Sequence, residues 1–202
     1  MTQPILLEEF SGTSMDERLR WYCPPARWSI RDSALLVEPD AKTDYWGKTH
    51  YGFSADNGPF LHLEVEGDFN LSARVRFYPA NQYDQAGLMV RLSSEHWIKT
   101  CVEYEPHGPS WLGAVVTNFG YSDWSTQPYL GTTNEILLGI LHRGNDFVVQ
   151  YSDAQDGSNW IQLRITHLFN PQKKPLQAGI FACSPKGSGF RAEFLNLLVE
   201  QS

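Results

Sequence analysis

Apolar and polar residues alternate with a period of two along much of this chain, most clearly between Asp68 and Tyr78. There Phe69, Leu71, Ala73, Val75 and Phe77 take one side, and Asn70, Ser72, Arg74, Arg76 and Tyr78 take the other. Successive side chains of a strand point to opposite faces, so this is a strand with one buried face. Pro79 stops it. Three more runs follow in succession, residues 86–92, 97–105 and 111–118, joined by turns at Ser93-Ser94-Glu95 and Pro106-His107-Gly108-Pro109. Runs rich in β-branched and aromatic residues, bounded by Gly, Pro and Ser, predict an antiparallel meander.

The same reading predicts strands at residues 5–10, 61–65, 135–142, 147–151, 160–166, 176–183 and 190–199, and a small hairpin from residues 28–30 to 34–37. Residues 13–21 hold room for one or two helical turns, with Pro24-Pro25 beyond them. Residues 120–131 read as a loop, as do the aromatic-rich residues 39–60, and long loops of that kind are often functional. Residues 152–158 are a turn built on the Asp156-Gly157 step. No 3.6-residue periodicity supports a substantial helix. Ten or more strands without helical crossovers predict an all-β sandwich of two antiparallel sheets, with residues 1–202 as one domain.

Within the meander, alternation sets Ile98, Thr100, Val102 and Tyr104 on a core face, and Trp97, Lys99, Cys101, Glu103 and Glu105 on the other. Arg91 lies on the polar face of the preceding run. An indole among charges of both signs suits a ligand-facing sheet; an ordinary outer face with its Trp covered by a loop is the alternative.

Charge and composition narrow the partners. A net charge of −7 argues against nucleic acid and anionic membrane, which require a basic footprint. Seven tryptophans favour a stacking function. Cys23, Cys101 and Cys183 are far apart and odd in number, with no CxxC pair, so free thiols in a reducing compartment are expected. The N-terminal residues lack the basic and apolar regions of a signal peptide, and no segment is apolar enough to span a bilayer, so a cytoplasmic location is expected.

The blocks DQAGLMVR (84–91), WIKTCVEY (97–104), VVTNFGYSDWS (115–125), YSDAQDGSNWIQLR (151–164) and ACSPKGSGFRAEF (182–194) carry a resemblance. Together they resemble a concanavalin A-like family of unknown function, the one that includes a regulator-of-enolase protein. The resemblance covers nearly the whole chain. It implies a jelly-roll sandwich of the lectin/glucanase type, without an agreed chemistry.

The expected function is non-catalytic binding of a carbohydrate or sugar phosphate on the concave sheet face. The candidate residues are Arg91, Trp97, Lys99, Glu103, Tyr121, Asp123, Trp124, Trp160 and Arg164. Arg74 and Arg76 could join this charged layer or form cross-strand ion pairs. Trp124 and Tyr121 could stack on a sugar, with Asp123 accepting its hydroxyls; a loop pinned by a buried indole is the bland reading. A module acting on a metabolic enzyme such as enolase is the alternative. Glycoside hydrolysis by Glu103 and Glu105 is a third, although the Glu-x-Asp-x-Glu strand pattern of retaining glucanases on this fold is absent. The six histidines are scattered and Asp153, Asp156 and Asn159 lack a closing Glu, so no metal site and no cofactor are expected.

Overall fold

The computed structural model describes residues 4–152, 154 and 157–202. Asp156, of the Asp-Gly step, and Asp153 lie outside the described residues; Gly157 has φ +68°. In chain order the strands are β1 (Pro4–Glu8), β2 (Arg20–Tyr22), β3 (Arg27–Arg31), β4 (Ala34–Glu38), β5 (Tyr45–Trp46) and β6 (Ala55–Asp56). Next come β7 (Phe60–Val65), β8 (Phe69–Tyr78), β9 (Gln85–Ser93), β10 (His96–Glu103), β11 (Trp111–Asn118) and β12 (Tyr121–Pro128). The last are β13 (Glu135–Arg143), β14 (Asp146–Ser152), β15 (Ile161–His167), β16 (Leu176–Cys183), β17 (Arg191–Phe194) and β18 (Leu197–Gln201).

One sheet runs β15-β14-β13-β8-β17-β4-β3, with β18 also paired to β8 and β1 to β18; the other runs β12-β11-β10-β9-β16-β7-β2. The ladders are antiparallel. The alternation explains their packing. Phe69, Leu71, Ala73 and Val75 of β8 meet Leu88, Val90, Ile98 and Val102 of the facing sheet in one buried core. Each large apolar side chain removed from water there contributes roughly 1.5–3 kcal/mol. This is the two-sheet antiparallel sandwich that the pattern predicts, and the jelly roll that the resemblance implies.

Three expectations change, and one alternative is decided. No helix forms among described residues 13–21, where one turn closes from the Leu19 N–H to the Asp16 carbonyl (3.1 Å); residues 20–22 instead pair with β7 at the sheet edge. Residues 121–128, expected as loop, are the edge strand β12. Phe119 (φ 55°) and Gly120 (φ 76°) form the two-residue link before it, with both residues left-handed as a type I′ hairpin demands. The expected final strand is two, β17 and β18, interrupted where Asn196 Oδ1 accepts the Arg74 backbone N–H (2.8 Å). Of the two readings of Arg74 and Arg76, cross-strand ion pairing holds: both lie in the nine-stranded sheet, away from Arg91, Lys99 and Glu103. They share Glu135 as ion-pair partner (3.1 and 2.8 Å).

Candidate functional site

The outer face of the seven-stranded sheet, turned away from the core, has its own cover. Register sets its residues in cross-strand rows: Trp97, Arg91 and Gln177; Lys99, Met89 and Gly179; Cys101, Gly87 and Phe181; Glu103, Gln85 and Cys183. Over these rows folds the aromatic-rich segment 39–60, which contains the small hairpin of β5 and β6. Tyr45 is its anchor. The ring is fully buried, edge-on to Trp97 and to Phe181 (centroids 6.0 Å each), and its hydroxyl donates to the Gly58 carbonyl (2.6 Å). Met89, Trp97, Cys101, Val115 and Phe181 complete a second apolar cluster beneath it. Trp97 is therefore a packing residue, shut off from solvent.

At one end of this face the cover closes. The Arg91 guanidinium donates to Asp56 Oδ2 (2.7 Å) and sits 4.4 Å from the Tyr22 ring centroid, while Tyr22 donates its hydroxyl to the same carboxylate (2.9 Å). Burial pushes the Tyr22 hydroxyl up to about 12. Arg91 thus pins β6 and β2 to the sheet.

At the other end the cover stands off and leaves a cleft of about 470 Å³. Its floor is polar. Lys99, almost fully buried, donates to the Tyr45 carbonyl and to Gln85 Oε1 (2.8 Å each) and lies 3.6 Å from Asp44 Oδ1. Burial alone would pull this ammonium down, but Asp44 and the acidic neighbours hold it above the ordinary lysine value. Gln85 Nε2 donates to Glu103 Oε2 (3.1 Å). Burial pushes the Glu103 carboxyl up to about 7; Lys99 opposes that rise, and Asp44 and Glu105 add to it. The walls are aromatic: Trp46, Tyr51 and Phe53 from the cover, and Trp124 from β12. Trp46 packs edge-on against Trp124 (6.4 Å) and tilts against Tyr51 (5.4 Å). Tyr51 and Phe53 are largely exposed, with apolar rings facing water.

The remaining sequence candidates are dispersed. Tyr121 and Asp123 alternate with Trp124 on β12, so strand geometry sends them to its other side, and neither lines the cleft. Tyr121 is exposed beneath the Lys48 ammonium (5.2 Å). Asp123 pairs with Arg164 (3.0 Å), which also donates to the Ala114 and Asp123 carbonyls and so ties β15 across to β11 and β12. Trp160 lies over Gly139 on the outer face of the other sheet, where a Cβ on the glycine would come 2.8 Å from the indole. Glu105 falls beyond the end of β10, where it accepts from Gln82 Nε2 (2.9 Å) and the His107 N–H (3.4 Å). Conversely, Asp44, Trp46, Tyr51, Phe53 and Gln85 are not among the sequence candidates; the aromatic density of residues 39–60 is the signal for the first four, and Gln85 lies in the block DQAGLMVR. The three cysteines are free, and burial pushes Cys101 up to about 12 and Cys183 well above the ordinary thiol value. Among the described residues, no three His, Cys, Asp or Glu side chains are grouped to hold a metal, and no helix is long and apolar enough to cross a membrane.

Two stacked antiparallel sheets, with a cleft on the outer face of one, define a concanavalin A-like jelly roll. The chain belongs to the family DUF1349, described as a protein of unknown function, whose model matches residues 21–202. It is 35% identical over 175 residues to "Regulation of enolase protein 1" of Saccharomyces cerevisiae, covering 86% of this chain and 85% of the relative. A crystal structure of a functionally unknown protein from the same yeast superposes with a TM-score of 0.83 at 32% identity, over 90% of this chain and 95% of that one. More distant likenesses show the fold alone. The GH43 protein BlXynB of Bacillus licheniformis matches 97% of this chain but 39% of its own length (TM-score 0.75, 18% identity). An endo-β-1,3-glucanase from Pyrococcus furiosus matches 99% and 94% (TM-score 0.66, 10% identity).

Proposed function

We propose that this protein binds a carbohydrate or sugar phosphate, without turning it over, in the cleft between the 39–60 cover and β10–β12. The observation that carries this reading is the pairing of aromatic walls with a polar floor. Sugar rings present apolar C–H faces to aromatic side chains and hydroxyls to charged and amide groups. Trp46, Tyr51, Phe53 and Trp124 supply the first, and Glu103, with Gln85 beside it, the second, on a floor held by Lys99. The cleft volume, about 470 Å³, falls within the roughly 300–1,000 Å³ of small-ligand sites. Lys99 is already fixed by three partners, so the floor is preorganised. A second carboxylate free to act with Glu103 is missing: Glu105 is engaged by Gln82 and His107 beyond the strand end, and Asp44 Oδ1 accepts from the Tyr45 N–H (2.7 Å) and faces Lys99 (3.6 Å).

A calorimetric titration over a panel of mono- and oligosaccharides and sugar phosphates tests the proposal. Wild type is expected to bind within the panel, and Trp46→Ala and Trp124→Ala each to weaken binding roughly tenfold, the ~1.4 kcal/mol expected of a lost stacking surface. A wild type that binds nothing in the panel contradicts the reading, as does binding that ignores both substitutions. Reducing-sugar release from a polysaccharide would contradict its non-catalytic part.

A further inference from the structure

We infer that the ligand of this cleft carries a phosphate group, seated between Lys42 and Lys186; this deepens the carbohydrate reading and rests on it. Three lysines, Lys42, Lys99 and Lys186, line the cleft against two carboxylates, Asp44 and Glu103. Lys99 lies beside Asp44 and spends its donors on the floor. Lys42 and Lys186 are left over. Both are exposed, and among the described residues neither has a carboxylate within ion-pair distance. Lys186 has only the Tyr83 ring beneath its ammonium (5.3 Å). On a chain with 23 acidic and 16 basic side chains, an unbalanced lysine pair on one cleft is a local inversion of the field.

The pair is held in place by a buried knot. Ser184 is fully buried; its hydroxyl donates to Asp84 Oδ1, its N–H donates to Thr43 Oγ1 (3.0 Å), and its carbonyl accepts from the Lys42 N–H (2.8 Å). Asp84 Oδ2 accepts the N–H groups of Ala80 (2.8 Å) and Asn81 (2.7 Å). Three loops that hold Lys42, Tyr83 and Lys186 thus meet at one serine. Phosphate is favoured over carboxylate because two ammonium groups, Lys42 and Lys186, lack a carboxylate partner among the described residues. Lysine binds an anion as a compact point charge, and two such charges together match the roughly two negative charges of a phosphate monoester better than the single charge of a carboxylate.

The test is calorimetry at neutral pH and low salt with three probe sets: hexose and pentose phosphates, their unphosphorylated parents, and inorganic phosphate. Wild type is expected to bind at least one sugar phosphate ten times more tightly than both its parent sugar and inorganic phosphate, with affinity falling as salt rises. Lys42→Met/Lys186→Met should erase that preference with an unchanged melting temperature, and Lys42→Arg/Lys186→Arg should largely keep it. Equal affinity for phosphorylated and parent sugars overturns this inference and leaves the carbohydrate reading standing. Inorganic phosphate binding as tightly as every sugar phosphate also overturns it. If neither sugars nor sugar phosphates bind, the carbohydrate reading falls and takes the inference with it.

Discussion

Arg91 and Glu103 occupy the same face of the same sheet, on neighbouring strands, and each lies beside a glutamine of the next strand over. Their fates differ because of what covers them. Arg91 is closed in by Asp56 and the Tyr22 ring, and its hydrogen bonds and ring contact hold the cover down. Glu103 accepts one side-chain hydrogen bond, from Gln85, and otherwise meets the cleft. Alternation along a strand decides which face a charge takes. The tertiary cover decides whether that charge becomes a fastener or part of a site.

The largest effect expected from this contrast is at the closed end. Arg91→Met keeps length and apolar contact but leaves the Asp56 carboxylate facing an uncharged chain. Breaking a buried pair in this way should cost roughly 3 kcal/mol in stability, read by denaturant unfolding. A loss below about 1 kcal/mol would mean that Arg91 is no fastener.

Glu103→Gln should act in the opposite direction and depend on pH. The carboxyl is raised in the folded protein to about 7, so the unfolded chain releases this proton first. Stability then falls as pH rises from the ordinary carboxylate range through about 7, and the penalty is complete above it. Lys99 on its own strand, Gln85 on β9, Asp44 on the cover and Glu105 in the following turn are the charged and polar groups facing it. Removing the charge should stabilise the protein by about 1–3 kcal/mol at pH 8 and by almost nothing at pH 4. Thermal melts at both values decide this, and equal shifts would break the account of the open end.

The smallest effect on stability belongs to the cleft wall. Phe53 is 46% exposed, so Phe53→Ser should change stability by no more than about 0.5 kcal/mol while weakening ligand binding. A collapse in stability would show that this ring supports the fold.

The difference between cover and sheet also explains what was legible in the sequence. The bounds of β11 and β16 and the two faces of β8 follow directly from alternation and turn residues. β12 escaped because Tyr-Ser-Asp-Trp-Ser-Thr-Gln-Pro is an exposed edge with little apolar content, and because phenylalanine is an unusual residue for a left-handed hairpin position. Alternation gives a face but no sheet, so it sets Arg74 and Arg76 beside Arg91, Lys99 and Glu103 although they lie in the other sheet. The cleft depends on contacts far apart in sequence, such as Tyr45 on Trp97 or Trp46 on Trp124. No local pattern encodes them. Trp160 and Arg164 share residue type with the site, but Trp160 packs over Gly139 of the other sheet and Arg164, on that sheet's edge strand β15, is spent on Asp123.

Indole N–H resonances observed by NMR during a titration would locate the ligand directly. Trp46 and Trp124 line the cleft, while Trp28 and Trp160 are exposed elsewhere. With a sugar or sugar phosphate that binds, the Trp46 and Trp124 signals, assigned by substitution, are expected to shift and saturate together, with Trp28 and Trp160 unmoved. Shifts confined to Trp28 or Trp160, with Trp46 and Trp124 silent at saturation, would contradict the cleft as the binding site.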